Sequence, residues 1–188
     1  MKIALETNRI YLRSFRSSDG MSMHEYLSLE RVVRYEPYSE MSLIECTREA
    51  KRRSNDPSFY AVIQKETNKL IGSIYFHQQQ PYKFRTYELG YVFNPAYWNM
   101  GYATEAAELI LKYGFLELDL HRIIANCNQE NERSVKLLER IGMRRESSSK
   151  KDVFFRYLGS GEPNWVNSYM YAILKEDYIQ TNVDKSTT

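Results

Sequence analysis

The sequence predicts a mixed α/β sheet, and two observations carry that expectation. Three β-rich runs, Phe59 to Gln64, Leu70 to His77 and Tyr87 to Phe93, succeed one another as an antiparallel meander. A periodic helix, Gly101 to Leu116, then leads to another apolar run, Arg122 to Cys127, which completes a strand–helix–strand unit. A meander joined to a crossover implies a sheet with both pairing senses.

The remaining elements follow in order. Ile10 to Phe15 reads as a first strand, and Ser17-Ser18-Asp19 offers caps for a helical region running toward Leu29. A polar helix is expected from Ser42 to Arg53. Lys65 to Lys69 is the loop of the first hairpin, and Asn94-Pro95 stops the third strand of the meander. The central helix shows small or apolar residues at Ala103, Ala106, Ala107, Ile110, Leu111, Gly114 and Phe115, the stripe of a helix packed on a sheet. Asn131 caps a short helix through Arg140 that Gly142 ends. Phe154 to Tyr157 and Val166 to Leu174 supply closing strands. Residues 1–178 are expected as one domain and 179–188 as a polar, frayed tail.

Composition narrows the function classes. The 188 residues suffice for one good core. A net charge of +2 with scattered basic residues disfavours dedicated nucleic-acid binding. No apolar run approaches the ~18–20 residues of a membrane span, and no signal-peptide core opens the chain. Cys46 and Cys127 form neither a disulfide framework nor a metal-ligand spacing, so no metal is expected and the cytoplasm is the expected location. His24, His77 and His121 are too dispersed for a zinc site or a triad.

The loop before the central helix carries the chemistry. Strand, glycine turn and helix start aim several N–H groups and the positive end of the helix dipole at one spot, an anion site and typically a phosphate site. Gly101 lets the backbone approach closely, and Ala103 keeps bulk out of the turn. The loop is neither a P-loop nor a dinucleotide fingerprint. Taken alone, an ordinary strand–helix connection with a packing glycine explains it equally well.

The run Trp98-Asn99-Met100-Gly101-Tyr102-Ala103 resembles the pyrophosphate-binding motif of the GNAT N-acyltransferases, Arg/Gln-x-x-Gly-x-Gly/Ala, with Trp98 at the Arg/Gln position. Further strings resemble the RimJ/RimL-like branch of ribosomal-protein N-acetyltransferases. They are Leu5-Glu6-Thr7 with Arg9, Leu12 and Arg13; Leu70-Ile71-Gly72-Ser73-Ile74; Leu120-His121-Arg122-Ile123; and Asn131-Glu132 through Gly142. That resemblance implies the GNAT fold, a mostly antiparallel sheet of about seven strands flanked by helices. It implies acetyl-CoA as co-substrate, its pyrophosphate on the N–H groups of Asn99, Met100, Gly101, Tyr102, Ala103 and Thr104. Tyr91, Val92 and Phe93 would pair with the pantetheine arm, which Asn131 would also touch. Asn99 and Met100 replace a usual glycine and cation, and main-chain donors make those side chains partly dispensable.

The resemblance also implies two catalytic residues. Glu88 would accept the proton of the attacking amine; the plainer reading is a solvent-facing strand carboxylate. The family's usual tyrosine acid is missing, because Leu138 occupies its place and Met143 that of a phenylalanine. Ser134 is the substitute the branch suggests, although its hydroxyl equally suits a helix start. Gly90 would let the strand splay beside the thioester. The expected reaction is acetyl transfer to a primary amine, a protein N-terminus or a small molecule. An α-amine of pKa ~7.7–8.0 is roughly a tenth neutral at pH 7, whereas a lysine at ~10.4 is almost wholly charged. Polyamine or antibiotic modification, and acyl-CoA sensing without turnover, remain alternatives; exposed strand edges and tyrosines allow a homodimer.

Overall fold

The computed structural model describes residues 5–186. One eight-stranded sheet runs in the order β1-β2-β3-β4-β5-β6-β8-β7. Its strands are β1 (Leu5–Glu6), β2 (Ile10–Ser14), β3 (Phe59–Gln64), β4 (Lys69–Gln78), β5 (Thr86–Phe93), β6 (Arg122–Asn128), β7 (Arg144–Tyr157) and β8 (Pro163–Leu174). Every neighbouring pair is antiparallel except β5 and β6. This is the mixed, mostly antiparallel sheet expected, with one strand more than the seven.

Alternation along the strands builds a core on each face. In β3, Val62 points to one side and Ala61 and Ile63 to the other. The first side packs under α4 (Tyr102–Lys112) and α5 (Glu132–Arg140) through Ala106, Ile110 and Leu138. The second packs under α1 (Gly20–Leu27), α2 (Glu30–Val33) and α3 (Leu43–Ser54) through Met23, Tyr26 and Ala50. Ser42 caps α3, its hydroxyl accepting from the Glu45 N–H while Glu45 reaches back to the Ser42 N–H.

Three departures from the sequence reading have local causes. The central helix is α-helical only to Lys112 and finishes as a π-turn over Tyr113–Glu117. Gly114 permits this close approach, since a Cβ there would lie 2.9 Å from Ile123 Cδ1. Strand β7 begins ten residues before Phe154; its first half is exposed on both faces at the sheet edge, so no alternation marks it. The stretch from residue 179, expected as a frayed tail, continues α6 (Lys175–Ser186), while residues 187 and 188 lie outside the described residues. Tyr178 anchors that helix by its ring contact with Phe115, 5.1 Å between centroids.

The parallel pair positions the site. β5 and β6 register over Thr86↔Arg122, Tyr87↔Ile123 and Glu88↔Ile124 only. Beyond that seam β6 continues on β8 alone and β5 on β4 alone, so the sheet opens as a wedge with Glu88 at its apex.

Candidate active site

The apex is the closed end of a cavity of about 460 Å³. Glu88 lines it, together with Gly90 and Tyr91 of β5, Asn126 and Cys127 of β6, and Asn131 and Ser134 at the start of α5. Two side-chain amides hold the Glu88 carboxylate: Asn126 Nδ2 donates to Oε1 at 2.9 Å and Gln79 Nε2 to Oε2 at 3.1 Å. Both carboxylate oxygens are thus engaged by neutral donors, which fixes the group's orientation at the cavity wall and leaves further acceptor capacity on each oxygen.

Ser134 is buried, and its Oγ lies 2.8 Å from the Tyr91 hydroxyl. Burial pushes the Tyr91 phenol well up, against the hydrogen bond with Ser134, so the pair is a neutral donor–acceptor unit at any physiological pH. Asn131 Oδ1 accepts from the Ser134 N–H at 3.2 Å, so Asn131 caps α5. Burial raises the Cys127 thiol to about 11, which leaves it protonated and a poor nucleophile.

The other wall of the cavity comes from the segment after α2. Glu36 and Tyr38 line it, and burial pushes Glu36 up to about 7, although a hydrogen bond with Tyr38 and the Arg53 charge pull it down. The Glu36 side chain keeps partial contact with solvent, while protein surrounds it at longer range. Arg53 itself is committed to Glu49 at 2.7 Å.

At the open end of the wedge, alternation decides which amides face the gap. The Asn94 N–H donates to Ile71 O at 2.9 Å, so Asn94 and Val92 spend their main-chain groups on β4. Tyr91 and Phe93 therefore face the gap, and Phe93 O accepts from Trp98 Nε1 at 2.8 Å. Val92 belongs with the wedge through its side chain, not its amide.

The loop beyond is held in two left-handed turns, Asn99 at φ 62° and Gly101 at φ 83°. Tyr102 is anchored by Gln64 Nε2, which donates to its hydroxyl at 2.8 Å. Among the described residues, the N–H groups of Asn99, Met100, Gly101, Tyr102, Ala103 and Thr104 donate to no protein acceptor. Six consecutive unspent donors at a helix start form an anion cradle.

The family model described as the GNAT acetyltransferase domain matches residues 9–144. The chain belongs to the GNAT family. It is similar to an uncharacterized N-acetyltransferase, YnaD, of Bacillus subtilis, 38% identical over 175 residues that cover 93% of this chain and 98% of that protein. A crystal structure of a GNAT-family acetyltransferase from Bacillus anthracis superposes with a TM-score of 0.84 at 38% identity, covering 93% of this chain and 99% of that one. The fold is shared more distantly with a spermidine N-acetyltransferase from Vibrio cholerae in complex with CoA and spermine, at a TM-score of 0.75 and 21% identity over 92% and 99% of the two chains. This GNAT chain is an N-acetyltransferase, and its family takes the acetyl group from acetyl-CoA.

Sequence reasoning overlooked Asn126, Gln79 and the Tyr91 side chain. Asn126 had a signal, a polar residue interrupting the apolar run Arg122 to Cys127 two positions after the residue facing Glu88. Gln79 had none, because it lies beyond the end of β4. Among the described residues no three potential metal ligands cluster, and no helix is long and apolar enough to cross a membrane.

Proposed function

We propose that this acetyltransferase moves acetyl from acetyl-CoA directly to a primary amine, with Glu88 as the base and Ser134 beside the departing sulfur. The observation that carries the reading is the placement of Glu88 at the apex of the wedge, its carboxylate oriented by Asn126 and Gln79 toward the cavity. The diphosphate sits on the unspent amides of the Asn99–Thr104 loop, and the pantetheine runs along the gap-facing amides of Tyr91 and Phe93. Asn131 opens the helix beside that arm. Acetyl-CoA contributes the thioester carbon as electrophile. Glu88 takes the amine proton, the nitrogen lone pair forms the new N–C bond, and the C–S bond breaks with its electron pair on sulfur. Ser134, its hydroxyl fixed by Tyr91, hydrogen-bonds that sulfur. A thiol of pKa ~8.5 leaves with modest assistance, so a neutral hydroxyl suffices.

The acceptor reading is an α-amine, supported by the proton arithmetic above and by the sequence strings shared with the RimJ/RimL-like branch. A small cationic amine is the second reading, favoured by Glu36, which has no cation within salt-bridge distance among the described residues and shares the cavity with Glu88. The proposed setting is the cytoplasm, where two free buried thiols stay reduced. Exposed Tyr157 and Trp165 on the edge hairpin support a homodimer.

Mass spectrometry of a peptide and amine library incubated with enzyme and acetyl-CoA tests the assignment. A gain of one acetyl on an α-amine, abolished by Glu88→Gln, is the expected result. Acetylation that persists at the wild-type rate in Glu88→Gln refutes the base; CoA released with no acetylated amine refutes the transfer.

A further inference from the structure

The loop at the mouth of the wedge has no cation of its own: Trp98, Asn99 and Met100 stand where the chain could have carried one. Arg9 reaches the loop and donates to Met100 O at 3.1 Å, but its charge is spent on Glu105, 2.7 Å from Nε. A diphosphate held by neutral amides alone gains hydrogen bonds but meets no opposing formal charge and no bidentate guanidinium contact.

Helix α5 supplies two guanidinium groups that flank the loop, one at Thr104 and one at Trp98. Arg140 Nη1 donates to Thr104 Oγ1 at 3.2 Å, in the first turn of α4. The Arg133 guanidinium lies 4.2 Å over the Trp98 ring, beside the indole that closes on Phe93 O. The two residues are seven apart, two turns of helix, and so share one face. Both are exposed, and among the described residues neither has a carboxylate within salt-bridge distance. Lys136, between them, differs: it pairs with Glu132 at 3.1 Å.

The placement is electrostatically uphill for Arg133 without an anion, whereas Arg140 in the last turn of α5 is favoured by its own helix and opposed only by α4. Arg133 stands in the first turn of α5, against the positive end of that helix dipole. Arg140 faces the positive end of α4. Two unpaired cations flanking a loop of six open N–H groups are reconciled by a multivalent anion between them.

We infer that Arg133 and Arg140 form a clamp on the coenzyme A diphosphate, replacing from α5 the cation absent from the loop, with Trp98 as the shelf that orients Arg133. The inference rests on the proposed cofactor placement. It makes Trp98 more than a substitution for the usual Arg/Gln: the ring carries the charge of a neighbour instead of its own.

Calorimetric titration of CoA into the apoenzyme, at about 50 and 200 mM salt, tests the clamp. Arg133→Gln and Arg140→Gln should each weaken CoA binding about 3- to 10-fold at low salt, and the double variant should flatten the salt dependence. Dephospho-CoA, which keeps the diphosphate and lacks the 3′-phosphate, should show the same losses. Lys136→Gln removes an equal charge from the same helix and should leave affinity unchanged. Trp98→Leu should weaken binding in the wild-type background and much less in Arg133→Gln, the non-additivity of a positioning residue. Losses that vanish with dephospho-CoA overturn the diphosphate assignment. Equal losses in Lys136→Gln reduce the effect to bulk charge and overturn the clamp, as do unchanged affinity and salt slope in the double variant. A wild-type enzyme that fails to bind CoA refutes the cofactor placement and the clamp together, whereas unaltered binding in the variants refutes the clamp alone.

Discussion

The two ends of the β5–β6 wedge work by different means. At the closed end, the proposed function rests on side chains: one carboxylate, two amides that hold it, and a serine–tyrosine pair. At the open end it rests on the main chain, six N–H groups presented by two left-handed residues. Side-chain chemistry demands particular residues, whereas an amide cradle demands a backbone path and tolerates many sequences along it. That contrast explains how Trp98, Asn99 and Met100 can occupy the loop of a GNAT acetyltransferase while Glu88 remains at the apex.

The largest effect expected is at the closed end. Glu88→Gln should lower kcat by about 10²- to 10⁴-fold while CoA binding measured by calorimetry persists. A comparable loss of CoA affinity would erase the distinction between the ends. At the open end, the backbone is the sensitive element. Gly101→Val forces a branched residue to φ 83°, at about 1–2 kcal/mol, and should raise the Kd for CoA and lower Tm together. Normal affinity in that variant would show that the left-handed turn does not shape the cradle. Ser134→Ala, by contrast, should cut kcat only about 3- to 10-fold, the worth of one hydrogen bond, with a larger loss for acyl donors whose thiol is less acidic; stopped-flow thiol release measures it.

Glu36 makes a pH-dependent contribution on the acceptor side. Its carboxyl titrates at about 7 in the folded protein against 4.5 in the reference state, so the folded form binds the proton more tightly. The resulting stability is complete below pH 4.5 and is lost as pH rises through about 7. Wild type should therefore lose stability relative to Glu36→Gln across that window, on the order of 1 kcal/mol because cavity water screens the charge. Parallel denaturation midpoints for the two proteins would remove the effect. The smallest change is at the loop: Met100→Lys adds an exposed cation and should tighten CoA binding about 2- to 5-fold at low salt, fading at high salt.

The same contrast governs what the sequence made legible. The meander and crossover were readable because β3, β4 and β5 alternate or run apolar and α4 keeps its stripe. The long hairpin was not, since Arg144–Lys151 is solvated on both sides and hydrophobic periodicity is silent there. Glu88 came from the family resemblance, whereas the loop was legible as an anion site from its strand–glycine–helix pattern and the resemblance only made the anion a pyrophosphate. Asn126 and Gln79 needed the register between strands, a long-range fact that no local window contains. The α5 arginines were invisible for the same reason: nothing in Asn131–Arg140 says which side meets the loop until α4 and α5 are packed.

The chain has two tryptophans, and Trp98 stands at the mouth of the wedge with its indole N–H on Phe93 O and a guanidinium over its ring. A fluorophore so placed changes its surroundings whenever a ligand enters beside Phe93. With Trp165 replaced by Phe, the enzyme carries an intrinsic optical gauge of occupancy, readable in milliseconds and without a label.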